Sequence, residues 1–486
     1  MPQPPPSPST PPSQGTGKLE LRGYQEHILQ RIKENRDRNI LIELDCGLGK
    51  RVLTYKLVSE LFPETRFILT VNSTSSLQET AQYLEKEYGG VSGLGAMTQR
   101  VQGQQRRRML KESRVVLCTA RVLTNILKRG DFTPQEFDAI VINEVDTILR
   151  RVGRQSVLIQ PWSYLLEFFK DRWIIGMSGT LRDDHVVLDN AQLQIREELK
   201  TLSKFIPKAE VISMEELSGT DVEGYIEPTV INVVAVESNL IKAVSLVLDA
   251  LIKSTRDEIY QAVREKRDIA VDAIPESVRL LHLLLDELPI SEDLAQRYSG
   301  LLMIRKYLYG MSVSSFRRFL HHPVIAPQID VERVLSEWPR VTPKALKVCQ
   351  LVDMSGKTVI LSSYLHVVSE INRLLSEVGV RAFSLTGQIR DKQAVLTEFK
   401  ESKPPAAVIL SPVGERDLDL PETDLLIICD VVNTTKTIYQ KMKRSRGGQV
   451  IFLAYEGTSE EEKVNRLIDN IMHRYPWSTR LGNAED

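Results

Sequence analysis

Past the first forty residues the chain repeats one alternation: a short apolar run, then a stretch whose apolar positions recur every three or four residues. Ile40–Leu44, Phe67–Val71, Val115–Cys118 and Arg172–Met177 read as buried strands, and the stretch 134–148 holds another that ends at Asn143. Leu77–Tyr88 reads as a crossover helix, and a helix with Ile28, Leu29 and Ile32 on one face precedes the first strand. Short unalternated apolar runs joined by helices predict a doubly wound parallel α/β sheet, with functional loops at the strand C-termini. Pro228–Val236 predicts a strand leading out of this lobe. From Leu240 to about His322 the pattern is helical only, with Ile241, Val244, Leu248 and Leu251 opening it. The strand and helix alternation then resumes after Pro339 and Pro343 and ends in a helix over Ser459–Ile471.

These changes of texture divide the chain. Residues 1–17 are rich in proline, serine and glutamine and are expected to be a disordered tail. A first lobe over 18–190, a connector over 191–235, a helical insertion over 236–330, a second lobe over 331–476 and a tail over 477–486 follow. A length of 486 residues suits about three domains. The net charge of −1 gives no global attraction to nucleic acid, so such binding must rest on local basic patches. The four cysteines, Cys46, Cys118, Cys349 and Cys429, include no C-x-x-C pair, which speaks against zinc or a disulfide framework and for an intracellular, reducing compartment, cytoplasmic or nuclear. No membrane span and no signal peptide are visible, so no membrane partner is expected.

The chemistry gathers at strand ends. Residues 39–51 run from an apolar strand into Gly47 and Gly49, with Lys50 opening a helix. Glycines allow close backbone approach to a phosphate chain, and a lysine at this spacing meets the β- and γ-phosphates. The next position normally carries a magnesium-binding hydroxyl, and here it is Arg51. At the end of another strand stands Asn143-Glu144-Val145-Asp146, where an acidic pair usually holds the metal with its first member and orients water with its second. Glu144 can be that base, whereas Asn143 brings no carboxylate.

Leu-Arg-Gly-Tyr-Gln (21–25), Cys-Gly-Leu-Gly-Lys-Arg (46–51), Cys-Thr-Ala-Arg (118–121), Asn-Glu-Val-Asp (143–146) and Met-Ser-Gly-Thr (177–180) resemble, in order, the motifs of superfamily-2 helicases. So do Thr358–Tyr364, Thr386-Gly387-Gln388, Val413–Pro421 and Tyr439–Gly447. The branch most resembled is that of archaeal Hef and the Fanconi anaemia M-type DNA translocases. The resemblance implies two RecA-like parallel-sheet lobes with an all-helical insertion domain between them, and ATP as the ligand. It implies nucleotide contacts from Gln25 (the adenine edge), Gly47, Gly49, Lys50, Arg51 and Asp419, catalytic roles at Asn143, Glu144, Gln440 and Arg444, and coupling through Ser178 and Thr180. Nucleic acid, DNA in preference to RNA, would be met by Ser73, Thr119 and Arg121 in the first lobe and by Ser363, Thr386 and Ser411 in the second. Arg305, Lys306, Arg317 and Arg318 of the insertion would add phosphate contacts, with Tyr298, Tyr307, Phe316 and Phe319 interleaved for stacking or, alternatively, for packing. The triplet Arg106–Arg108 reads as a solvated helix face.

Four positions depart from the active pattern: Arg51, Asn143, Asp417 and Gly447. Together they imply weak or absent magnesium binding and ATP hydrolysis attenuated or lost, because metal and arginine-finger stabilisation supply much of the rate. Three functions stay open: a pseudo-helicase that binds nucleic acid, a slow working translocase, and a scaffold for a partner in DNA repair. The related helicase–nucleases carry an E-R-K-x-x-x-D segment that this sequence lacks, so cleavage would need a separate nuclease.

Overall fold

The computed structural model describes residues 20–482 except 87–88, 99–100, 150–151, 155–157, 190–191, 265–273, 277–280, 282–289, 311–312, 324, 390, 413–422, 432–434 and 444–447. The expected tail 1–17 and the site residues Asp417, Asp419, Arg444 and Gly447 therefore lie outside the described residues. Two units make up the chain. The first comprises Met1–Val145, Gln160–Gly179 and Ile206–Gly224; the second takes Asp146–Ile159, Thr180–Phe205 and Tyr225–Asp486.

The first unit is built on a seven-stranded, all-parallel sheet in the order Ala209–Ile212, Asn39–Glu43, Trp173–Ser178, Ala139–Asn143, Phe67–Val71, Val115–Thr119, Leu94–Ala96. Every residue of Phe67–Val71 is buried, as a strand covered by helices on both faces must be. Asn39–Glu43, Ala139–Asn143 and Trp173–Ser178 are neighbours, so the loops that follow them share one edge of the sheet. The second unit repeats this architecture: Arg381–Leu385, Ala406–Leu410, Lys357–Leu361, Leu425–Ile428, Gln449–Tyr455, Thr229–Val236, Thr479–Leu481, again all parallel. A small three-stranded sheet of Val152–Arg154, Asp184–Asp189 and Gln192–Glu197 also belongs to this unit.

Two expectations change here. The stretch 191–235, read as a connector, supplies a strand to each large sheet, Ala209–Ile212 to one and Thr229–Val236 to the other. Thr479–Leu481, read as tail, pairs with Thr229–Val236.

The insertion is helical among its described residues. Asn239–Arg264 packs against Glu292–Leu308, with Ile241, Val244, Leu248 and Ile252 meeting Leu301, Leu302 and Leu308 in one core. Tyr298 and Phe316 are fully buried in that core, and Tyr307 stacks on Phe319 with ring centroids 5.4 Å apart. The aromatic half of the interleaving is thus packing, and stacking of bases on Tyr298 and Phe316 is excluded by their burial. Arg305 is likewise committed: its guanidinium reaches Asp249 at 2.9 Å and Glu276 at 2.8 Å. Lys306, Arg317 and Arg318 are exposed. No helix among the described residues is long and apolar enough to cross a membrane.

Candidate functional site

Glu43 closes the first strand, and the Leu44 amide donates to the Ser178 carbonyl at 2.9 Å, tying the glycine loop to the neighbouring strand end. The loop turns through Gly47 (φ +84°) and Gly49 (φ +83°) before the Lys50–Lys56 helix. It is braced from below by the helix Gly23–Glu34: the Tyr24 hydroxyl donates to the Leu48 carbonyl at 2.8 Å, and Gln25 Nε2 does so at 3.3 Å. Gln25 Oε1 accepts from the Arg22 amide at 3.1 Å, and the side chain is 3% exposed. The Gln25 amide thus holds the loop. A Cβ added at Gly49 would come within 2.5 Å of Gln25 Nε2, whereas one at Gly47 would meet nothing within 4 Å. Gly49→Ala should therefore cost more than Gly47→Ala, roughly 2–3 against about 1–2 kcal/mol for the left-handed backbone alone. Equilibrium unfolding of the two variants measures the difference.

Lys50 points back across the loop. Its Nζ lies 3.3 Å from the Leu44 carbonyl and 3.3 Å from Glu144 Oε1. Burial by itself disfavours the ammonium, but the Glu144 carboxylate and the polar loop outweigh it, so the lysine's pKa stands above the ordinary value. Glu144 holds a left-handed backbone (φ +53°), rare for a residue with a side chain and costing of order 1–3 kcal/mol. That turn swings its carboxylate back over the sheet, with Oε2 3.5 Å from the Ser178 hydroxyl. Lys50, Glu144 and Ser178 are thus brought together.

Arg51 and Asn143 stand where a magnesium-binding hydroxyl and carboxylate are usual. Arg51 Nη2 is paired with Glu79 at 2.8 Å, and Asn143 ends its strand with a neutral amide. Neither position carries the hydroxyl or carboxylate usual there.

Of the residues expected to meet nucleic acid, several act locally. Ser73 Oγ accepts from the Ser76 amide at 3.1 Å, and Thr119 Oγ1 caps Ala120–Lys128 through the Val122 amide at 3.4 Å. Arg121 stands exposed in the first turn of that helix. In the second unit the Ser363 amide donates to both oxygens of Asp430, at 2.9 and 2.8 Å, and Thr386 Oγ1 accepts from the Gln388 amide at 3.4 Å. Ser411 is buried, its amide donating to the Leu385 carbonyl at 3.0 Å. Gln440 Nε2 donates to Thr180 Oγ1 at 3.2 Å, joining two expected residues from motifs 260 positions apart.

Residues 18–183 match the family described as type III restriction enzyme, res subunit, and residues 343–448 match the helicase conserved C-terminal domain. The crystal structure of the Pyrococcus furiosus Hef helicase domain superposes with a TM-score of 0.60 at 18% identity, covering 92% of this chain and 98% of that one. The chain carries a superfamily-2 helicase core with the Hef fold. A Methanocaldococcus jannaschii protein named "Putative ATP-dependent RNA helicase MJ1505" is 18% identical over 503 aligned positions; the match takes in 94% of this chain but only 61% of that relative.

The helicase core also holds a charged cluster of which only Asp146 belongs to a motif. Lys436 is fully buried between Asp146 and Glu198, with Nζ 2.6 Å from Glu198 Oε2 and in direct contact with Asp146 Oδ2. Burial pushes the Glu198 carboxyl up to about 7, with Lys436 opposing and Asp146 adding to the shift. Asp146 thus anchors a buried lysine. Its partners come from separate stretches, and only an isolated lysine in an otherwise apolar helix face (Ile438, Tyr439, Met442) hinted at Lys436.

Proposed function

We propose that the chain is a helicase-like protein that binds duplex or branched DNA, takes a nucleotide at its glycine loop with little use of magnesium, and hydrolyses it slowly or not at all. The observation that carries this reading is the pairing at the loop. Lys50 and Glu144 are intact and 3.3 Å apart, while Arg51, where a metal-binding hydroxyl belongs, is drawn to Glu79. Lys50 can exchange its carboxylate for phosphate oxygens, which leaves Glu144 able to accept a proton from water. Arg51, once released from Glu79, can offer two donors to a phosphate in the manner of a fixed monovalent charge. What is missing is the metal's stabilisation of developing charge, which sets the expected loss of rate.

The DNA preference rests on the Hef-like motifs. The name of the archaeal relative favours RNA as the competing ligand, so both belong in the test. Binding of branched DNA, duplex DNA and RNA is to be followed by fluorescence anisotropy over a range of salt, alongside ATP turnover with each. The expected result is tightest binding to DNA, a fall in log K with log salt of about 0.9 per duplex phosphate contact, and turnover near background. Robust turnover stimulated by nucleic acid would replace this reading with a working translocase. Absence of binding to every probe would leave the partner scaffold.

A further inference from the structure

We propose that a cavity of about 220 Å³ in the first unit, lined by Gln102, Gly103, Arg106, Val122, Asn125 and Arg129, seats a backbone phosphate of the bound nucleic acid. This assignment rests on the nucleic-acid reading above and extends it to residues outside every motif. Two guanidiniums and two carboxamides line the cavity, and no carboxylate is among the lining residues. Such a set suits a dispersed anion with several acceptor oxygens.

The triplet Arg106–Arg108 separates into different roles. Arg107 is tied to Asp131 at 3.1 Å and Arg108 to Glu112 at 2.9 Å, both on the surface. Arg106 is held instead by its Nη2 donating to the Val101 carbonyl at 2.7 Å, and its Nε is buried without a partner among the described residues. Arg106 is therefore half-buried and held at the cavity wall, unlike its two neighbours on the solvated face. The floor is open as well: the helix Gly103–Glu112 begins with no side-chain cap, and a Cβ at Gly103 would meet nothing within 4 Å.

The nucleic-acid source of the phosphate follows from continuity. Arg121, Asn125 and Arg129 recur every four residues, so they rise along one face of the Ala120–Lys128 helix and its C-cap, beginning beside the capping Thr119. Each step is about 6 Å along the axis, comparable with the separation of successive phosphates on a strand. A strand met by Thr119 and Arg121 is thereby led to the cavity.

The test uses the full chain. Arg106→Gln combined with Arg129→Gln should weaken binding of single-stranded and duplex oligonucleotides at least tenfold at low salt. It should also reduce the salt slope by one contact, about 0.7 for single strands and about 0.9 for duplex. Arg107→Gln combined with Arg108→Gln should change neither, and all variants should keep the unfolding midpoint of the parent. In the unmodified chain, phenylglyoxal modification of Arg106, mapped by mass spectrometry, should slow at least fivefold with oligonucleotide. Equimolar inorganic phosphate should leave it unchanged. Unaltered affinity and slope in the Arg106/Arg129 variant, with Arg121→Gln still weakening binding, would overturn the cavity and leave the nucleic-acid reading standing. No binding by the unmodified chain would overturn both.

Discussion

Lys436→Met should lower the stability of the second unit by about 3–5 kcal/mol at pH 8, and by distinctly less near pH 5. The lysine sits at 0% exposure between two carboxylates that are themselves at 0%. Removing it leaves two buried negative charges with no cation, the costly way to break such an arrangement. The pH dependence follows from Glu198, whose carboxyl is pushed from 4.5 up to about 7 by burial. Because its folded pKa is raised, the protonated form favours the fold below the unfolded value, and that contribution is lost as pH rises through about 7. Without Lys436, which opposes the shift, the folded pKa rises further and the penalty at pH 8 grows. Urea unfolding at the two pH values reads the difference. Adding Glu198→Gln and Asp146→Asn to Lys436→Met should restore most of the stability, since no buried charge then remains. Equal destabilisation at both pH values would mean that packing of the lysine stem, not its charge, is what matters.

Arg51→Thr with Asn143→Asp should make nucleotide binding magnesium-dependent, where the proposed function expects the parent to be nearly indifferent to magnesium. The two changes restore a hydroxyl and a carboxylate next to the intact Lys50–Glu144 pair and remove the guanidinium that Glu79 now holds. A tenfold to hundredfold gain in affinity on adding magnesium, roughly 1.4–2.8 kcal/mol, is expected for the double variant and less than twofold for the parent. Calorimetric titration with a nucleoside triphosphate, with and without magnesium, measures both. Turnover should recover only in part, because Asp417 and Gly447 still depart from the active pattern. A parent chain that already requires magnesium would remove the basis of this prediction.

What was legible in the sequence was whatever local pattern encodes. The buried strands, the glycine loop before Lys50 and the helical insertion each show as a run or a period within a few residues. The pairing of Ala209–Ile212 and Thr229–Val236 into different sheets left no such trace, because register between parallel strands is set by helices packed far along the chain. The bracing role of Gln25 had no trace in the sequence for a related reason. A carboxamide just ahead of a phosphate loop has the same residue type whether it faces a base or the Leu48 carbonyl, and only the fold of Gly23–Glu34 under the loop decides. The basic residues of the insertion were hardest to assign: Arg305 and Lys306 are adjacent, yet one turns into Asp249 and Glu276 while the other is exposed.

The short strand Thr479–Leu481 has a role beyond its three residues. It lies outside Thr229–Val236, the strand that begins the second unit's portion of sheet some 250 positions earlier. During synthesis that strand emerges early, but its inner partner Gln449–Tyr455 and its outer cover Thr479–Leu481 arrive only about 220 and 250 positions later. Until then its eight residues carry unpaired amides and carbonyls on both sides. A chain that has not yet made these partners is accordingly a template for pairing with another copy of itself, and Thr479–Leu481 covers the outer edge of Thr229–Val236 that would otherwise stay open.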